Sequence, residues 1–192
     1  MARKPRIDAQ GSVHHVMARG NARQRIFADD ADRIAFLDLL QDGVGRFGHS
    51  VHAFCLMDNH IHLAVRTGEV SLSRIMQNLM FRYTRHFNRR YGLVGHLFQG
   101  RFRSVVVDEG SYLLELVRYI HLNPIRTRAM ARHTITERLA ALAAYPWSSL
   151  PGYLDPEKRR PDLIADDVYA PYGGDTPENR ERYWRDLVDD YL

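Results

Sequence analysis

The chain has 192 residues, 45% of them hydrophobic and 26% charged, ordinary values for a globular protein and enough for one sizeable core with an appendage. No apolar run approaches a membrane span, and the basic start Met1-Ala2-Arg3-Lys4-Pro5-Arg6 has no apolar segment behind it, so neither membrane insertion nor a secretory signal is expected. Cys55 is the only cysteine and lies in an apolar run, which excludes an internal disulfide and fits buried packing and a cytoplasmic location.

The net charge of +4 conceals an asymmetry. Residues 155–192 hold 11 acids and 6 bases, whereas the remainder holds 21 bases and 12 acids. Arg74 to Arg103 contains seven arginines and no Asp or Glu. Surface helices usually mix signs, so a run of one sign points to a polyanionic partner, with phosphate as the obvious anion.

In chain order, Gly11 to Ala18 reads as a first strand. Asp29-Asp30 opens a helix whose apolar residues, Ile34, Phe36, Leu37, Leu39, Leu40 and Val44, recur at helical spacing and stop near Phe47-Gly48. Val51 to Met57 and Ile61 to Arg66 are apolar runs around Asp58-Asn59-His60, which predicts a hairpin. Leu72, Ile75, Met76, Leu79, Met80 and Tyr83 predict a second helix towards Arg90, and Phe102 to Val107 a fourth strand. Glu109-Gly110-Ser111 opens a third helix that Pro124 ends after Asn123. Further helices are expected over residues 135–144 and 177–191.

The order strand, helix, strand, strand, helix, strand predicts an α+β, ferredoxin-like (split βαβ) antiparallel sheet with helices on one face. The helix after the fourth strand is an addition beside the sheet, and the C-terminus forms a helical extension. Residues 1–150 are expected as the main domain and 151–192 as an acidic extension with a regulatory role, its charge lying over the basic surface in competition with a polyanion.

Alternate residues of a strand face the same way, so His60 and His62 share one side while Ile61, Leu63 and Val65 share the other. With the apolar side towards the helices, both imidazoles project from the opposite face and can hold one divalent cation. On the helix that follows, Leu113, Leu116, Val117 and Ile120 make the core stripe, while Tyr112, Tyr119 and Asn123 cluster on one flank. Each feature alone is equally compatible with a structural role: polar strand positions for the histidines, a half-buried tyrosine with a capping asparagine for the helix. Together they supply complementary parts of one reaction. A phenol, with a reference pKa of about 10, needs activation to attack, and a phosphodiester resists attack until its charge is neutralised. A cation held by His60, His62 and the Asn123 carbonyl would polarise the phosphate for in-line attack by Tyr119. The chain has neither a phosphate-binding Gly-x-x-x-x-Gly-Lys loop nor a Gly-x-Gly-x-x-Gly fingerprint, so no nucleotide cofactor is expected.

The segment Cys55-Leu56-Met57-Asp58-Asn59-His60-Ile61-His62-Leu63 resembles the histidine-hydrophobic-histidine motif of single-tyrosine HUH transposases. Arg118-Tyr119-Ile120-His121-Leu122-Asn123-Pro124-Ile125-Arg126 resembles the tyrosine motif of one branch, the REP-associated tyrosine transposases. Ala18-Arg19-Gly20-Asn21, Gly95-His96-Leu97-Phe98-Gln99-Gly100-Arg101-Phe102 and Tyr145-Pro146-Trp147-Ser148-Ser149 match in order, so the resemblance spans roughly residues 12–150. It implies cleavage and rejoining of single-stranded DNA at repetitive extragenic palindromes through a covalent 5′-phosphotyrosine, with Mg²⁺ or Mn²⁺ as cofactor. It also implies His60, His62 and Asn123 as metal ligands and Tyr119 as nucleophile. The partner would be single-stranded DNA carrying REP-type hairpins, bound by a monomer or homodimer. The wider family typically has glutamine where this chain has Asn123, one methylene shorter.

Arg82, Arg85, His86, Arg89 and Arg90 fall mostly along one helix side, with Tyr83, Phe87 and Tyr91 between them. Together with Arg101 and Arg103, and with Arg19 and Asn21 after the first strand, they are the expected DNA contacts. The rings are equally suited to the core. His121 is expected to pack or cap, and only one of His14 and His15 can face the site. Tyr112 is the rival nucleophile. A non-catalytic nucleic-acid-binding module shares the same element order but lacks its aromatic sheet pattern here. A small hydrolytic metalloenzyme would leave Tyr119 and the arginine run without a role.

Overall fold

The structure, a computed structural model, describes residues 9–107 and 111–192. The basic first residues and the expected helix start at Glu109-Gly110 lie outside that range. Strands β1 (Val13–Arg19), β2 (Ser50–Met57), β3 (His60–Arg66) and β4 (Arg103–Val107) form one four-stranded sheet in the order β2-β3-β1-β4, antiparallel throughout. This is the ferredoxin-like arrangement. Helices α1 (Asp30–Phe47) and α2 (Leu72–Tyr91) join the strands. They cover the face that carries Val16, Phe54, Ile61, Leu63 and Val65, all buried.

Local chemistry sets the bounds of both helices. The Asp29 carboxylate accepts the Asp32 amide at the start of α1, and the Ser71 hydroxyl accepts the Arg74 amide at the start of α2. Gly48 and Gly92 end them in the left-handed region at φ 63°. Between them Phe27, Phe36 and the buried Tyr83 pack together, Phe36 edge-on to both other rings, with ring centroids 5.1–5.7 Å apart. Tyr83 and Phe87 therefore belong to the core, and the Tyr83 hydroxyl donates to the Ile26 carbonyl at 2.5 Å.

Helix α3 (Ser111–Leu122) packs on the other face, over β2 and β3. It ends one residue before Asn123. Beyond it come α4 (Ile135–Ala143) and the short helices α5 (Leu150–Leu154) and α6 (Asp166–Tyr169), followed by α7 (Pro177–Asp189). The two short helices have no counterpart in the sequence reading, being too brief for a helical period to register.

The C-terminal segment supplies core as well as charge. Tyr153, Tyr169 and Tyr183 are fully buried and mutually packed with centroids 5.5–5.8 Å apart. Each phenol is satisfied: Tyr153 donates to the His52 carbonyl and Tyr169 to the Tyr153 carbonyl, both at 2.7 Å, and Tyr183 pairs with His121 Nδ1 at 2.7 Å. The same stretch covers the outer edge of β2. Leu56 and Ser149 amides donate to the Trp147 and Phe54 carbonyls, and the Ile164 amide donates to the Val51 carbonyl.

The acidic tail does not lie over the arginines of α2. Asp186 and Asp190 pair with Arg118 on α3, Asp175 with Arg159 and Arg180, and Asp167 with Arg66. These charges are met by nearer bases.

Replacing Tyr183 with Ala removes a buried ring and should cost about 3–5 kcal/mol, while Tyr183→Phe, which strands His121, should cost about 1–3 kcal/mol. Chemical denaturation reads both. His49, buried beside Gly43 at the α1–β2 junction, has a pKa lowered by burial to about 4. Below the unfolded value near 6.5 the unfolded chain takes a proton that the folded one refuses, so stability falls with pH down to about 4. His49→Leu should remove up to about 1.4 kcal/mol per pH unit of that slope, seen in denaturation midpoints between pH 4 and 7.

Candidate active site between the sheet and helix α3

Cross-strand register builds the site. Met17 lies opposite His62, and His62 opposite Cys55; Arg19 lies opposite His60, and His60 opposite Met57; His15 lies opposite Ala64. Paired residues face the same way, so His15, His60, His62 and Arg19 share the side that α3 covers. Arg103, opposite Met17 on β4, extends the row to the far edge. His14 faces the other way, into the core. Cys55 is fully buried beneath α3, its thiol pKa raised by burial, and its role is packing.

Tyr119 comes down onto this row. Its ring centroid lies 5.9 Å from that of His62 and 5.5 Å from that of His15, edge-on to both. His60 and His62 are themselves 5.1 Å apart at an interplanar angle of 78°. Tyr119 is 41% exposed, so its phenol remains open to a substrate. The strand histidines and the helical tyrosine, 57 positions apart for His62 and Tyr119, thus meet in one place. Tyr112 is 56% exposed and makes no ring contact with these histidines.

The outer nitrogens of both histidines are engaged. Asn59 Nδ2 donates to the Arg23 carbonyl at 3.1 Å, which turns Oδ1 towards His60; His60 Nδ1 then donates to that oxygen at 2.7 Å. The lone pair of His60 is therefore on Nε2. His62 Nδ1 pairs with His15 Nε2 at 2.9 Å, leaving His62 Nε2 open. Burial lowers the pKa of His60, with Arg19 adding to it, and lowers that of His15. His62 is pushed down to about 3 by burial, helped by His60, His15 and Arg19. Neutral imidazoles with a fixed second nitrogen are the form in which histidine binds metal.

Asn123 caps α3: its Nδ2 donates to the carbonyls of Tyr119 at 2.9 Å and Ile120 at 3.4 Å. The amide nitrogen is committed to the helix end, and Oδ1 is the atom left to act as a ligand. Among the described residues no three His, Cys, Asp or Glu side chains are arranged to hold a metal ion. The two histidine Nε2 atoms are nitrogen donors of the kind that suits a divalent cation with an otherwise open shell.

The surroundings hold the turn that carries Asn59. Asp58 pairs with Arg25 at 3.1 Å and with Arg33 at 2.6 Å. The largely buried Arg33 guanidinium lies between the rings of Phe27 and Trp147, 5.4 and 5.5 Å from their centroids. Opposite, Gly20 allows the chain to double back: a Cβ there would stand 2.2 Å from the Gln24 carbonyl oxygen. Ala22 and Arg23 follow at φ 48° and 62°, strain that places the Arg23 carbonyl on Asn59. Asn21 enters this turn, its amide donating to the Leu97 carbonyl at 2.9 Å.

The expected DNA-contact arginines divide. Arg82 is paired with Asp42, and Arg90 with Asp29 and Asp32, so these two tie α2 to α1. His86 stacks on Tyr83 and faces Asp32 at 4.0 Å. Arg85 and Arg89 make no ion pair among the described residues and line a cleft of about 1330 Å³ with Phe81, His86 and His96. Phe81, 60% exposed with the Arg85 guanidinium 5.8 Å from its ring centroid, is the outward aromatic on this surface. The interleaved rings expected there, Tyr83 and Phe87, are core. His121 packs as expected, its Nε2 pairing with Ser149 Oγ at 2.8 Å.

A family model described as "Transposase IS200 like" matches residues 9–123, more than half of the sequence and all of the site. The chain belongs to the IS200-like transposase family. This transposase is similar in fold to a REP-associated tyrosine transposase solved bound to a REP hairpin, at 14% identity and a TM-score of 0.63, over 87% of this chain and 93% of that one. A putative transposase from Deinococcus radiodurans R1 matches at 17% identity and a TM-score of 0.44, over 62% of this chain and 95% of that one. No curated protein matches the sequence.

The site residues absent from the sequence reading are Asn59 and the pairing of His15 with His62. Neither has a sequence signal, because both depend on register and on the fold of the Gly20 turn. His15→Ala and Asn59→Ala should each weaken Mn²⁺ binding by about tenfold or more without unfolding the protein. Titration calorimetry and a thermal melt check the two parts.

Proposed function

We propose that this transposase cleaves and rejoins single-stranded DNA through a covalent bond between Tyr119 and a 5′-phosphate. The observation that carries the proposal is the meeting of the Tyr119 ring with His62 and His15 between α3 and the sheet. His60 Nε2, His62 Nε2 and Asn123 Oδ1 would hold a divalent cation, Mg²⁺ or Mn²⁺. Such a cation, when bound, neutralises charge on the scissile phosphate.

In the cleavage step the Tyr119 oxygen attacks phosphorus in line. The bond from phosphorus to the 3′-oxygen breaks, the phenol loses its proton, and the departing strand gains one as a 3′-hydroxyl. The new phosphodiester retains the energy of the old one, so resealing is the same step reversed and requires no nucleotide. Arg19 on β1 and Arg103 on the adjacent β4, both on the side of the histidines away from β2, would contact the backbone of the strand.

The bound DNA would be a hairpin of the REP type, the ligand in the structurally similar complex, here presented with a single-stranded flank. Arg85, Arg89, Arg101 and Asn21 are the contacts proposed outside the reacting centre, with Phe81 available for stacking. Arg82, Arg90 and His86, being engaged with carboxylates of α1, serve chiefly to hold the helix pair. The mature enzyme is proposed to act in the cytoplasm, where its DNA lies.

With a labelled REP oligonucleotide and Mn²⁺, wild-type protein should yield an adduct that survives denaturing electrophoresis. Tyr119→Phe should abolish it while leaving hairpin binding within about threefold. His60→Ala and His62→Ala should lower cleavage by about 10²-fold or more, in line with loss of a metal ligand or its orientation. An adduct persisting in Tyr119→Phe would place the nucleophile elsewhere.

A further inference from the structure

Arg126 stands beside the nucleophile with no role so far. Its guanidinium carbon lies 5.7 Å from the centroid of the Tyr119 ring. Arg126 lies in the turn that follows α3, four residues beyond Leu122 and three after Asn123. The backbone that carries Arg126 is fixed. Its amide donates to the carbonyls of Leu122 and Asn123, at 3.2 and 3.3 Å, and the preceding Ile125 is buried at 2% exposure.

Among the described residues, its guanidinium is not held by the protein's polar groups as those of Arg118 and Arg138 are. Arg118 on the same helix is held by Asp186, Asp190 and the Tyr172 hydroxyl. Arg138 is held by backbone carbonyls and Tyr191. Among the described residues no carboxylate lies within ion-pair distance of Arg126, which is exposed. An arginine left unpaired next to a phenol, in a site whose substrate is an anion, has its five donors free for phosphate oxygens.

We infer that Arg126 is a catalytic residue of the same reaction: its guanidinium binds the non-bridging oxygens of the phosphate that Tyr119 attacks. The inference rests on Tyr119 being the nucleophile. Charge on those oxygens grows as the Tyr119 oxygen bonds to phosphorus and the 3′-oxygen departs. A forked cation in place beforehand therefore favours the transition state over the bound substrate. The proton balance is unchanged, since Arg126 donates hydrogen bonds and transfers no proton. Resealing passes through the same transition state, so it gains equally.

The test is single-turnover adduct formation with a REP hairpin oligonucleotide and Mn²⁺, compared in wild type, Arg126→Gln and Arg126→Lys. The Gln variant should form adduct about 10²- to 10³-fold more slowly, the range for loss of one transition-state donor. The Lys variant, which keeps the charge without the fork, should recover about tenfold of that loss. Hairpin affinity, measured without metal by anisotropy, should change less than about threefold in both. Reverse reaction of isolated adduct with a 3′-hydroxyl strand should slow by the same factor as cleavage. Adduct formation at the wild-type rate in Arg126→Gln would overturn the inference while leaving Tyr119 as nucleophile. A loss confined to hairpin affinity would overturn it too, making Arg126 a binding contact. Absence of adduct in wild type would instead defeat the reading of Tyr119 itself.

Discussion

The register between β1 and β3 is the constraint on which the site depends. With Arg19 opposite His60 and Met17 opposite His62, the histidines face α3 while Ile61, Leu63 and Val65 face α1 and α2. A slip of one residue would drive both imidazoles into the apolar layer and expose three buried aliphatic side chains. The burial of those aliphatic residues thus fixes where the imidazoles stand. The tight turn at Asp58 and Asn59 contributes twice. It sets the β2–β3 register, and it carries the amide that fixes the tautomer of His60.

A second constraint comes from distant sequence. Helix α3 brings Tyr119 to the histidines, yet the residues that clasp α3 lie in the last third of the chain. Tyr183 and Ser149 hold the two ring nitrogens of buried His121, and Asp186 and Asp190 hold Arg118. His121 and Arg118 flank Tyr119 in sequence and point away from the site. Forces on one side of the helix therefore orient a residue on the other. The C-terminal segment contributes to the geometry of the site although it supplies no side chain to it.

Much of this was readable from sequence because it is periodic. The alternation in His60-Ile61-His62-Leu63 and the helical spacing of Leu113, Leu116, Val117 and Ile120 assign faces without coordinates. The residues from Asp29 to Phe47 carry an apolar stripe and caps at both ends, so that helix falls where expected. What escaped is non-local or aperiodic. The pairing of His15 with His62 joins residues 47 positions apart, and the sharp bend after Gly20 has no period at all. Charge misled for a related reason. A count of −5 over residues 155–192 says nothing of where each carboxylate finds its base, and the nearer arginines, 118, 159 and 180, won over those of α2. Likewise Arg82 and Arg90 read as free cations until α1 was laid beside them with Asp29, Asp32 and Asp42.

The two surfaces proposed to meet DNA lie on opposite sides of the sheet, and this limits how one substrate can reach both. Arg85, Arg89 and Phe81 belong to α2, on the face away from the histidines, whereas Tyr119, His60 and His62 lie under α3. A continuous strand must pass around an edge. The β2 edge is closed by backbone pairing to Trp147, Ser149 and Ile164. The β4 edge carries no such cover among the described residues, and its side chains Val105 and Val106 are exposed. The loop from α2 into β4 wraps the end of β1 there, with the Gln99 amide on the Arg19 carbonyl and Arg101 and Arg103 following. Its cations form the basic connection between the cleft and the histidine row. The electrostatics therefore favour the route around the end of β1 and past β4, and a hairpin held on α2 would deliver its flank to Tyr119 from that side.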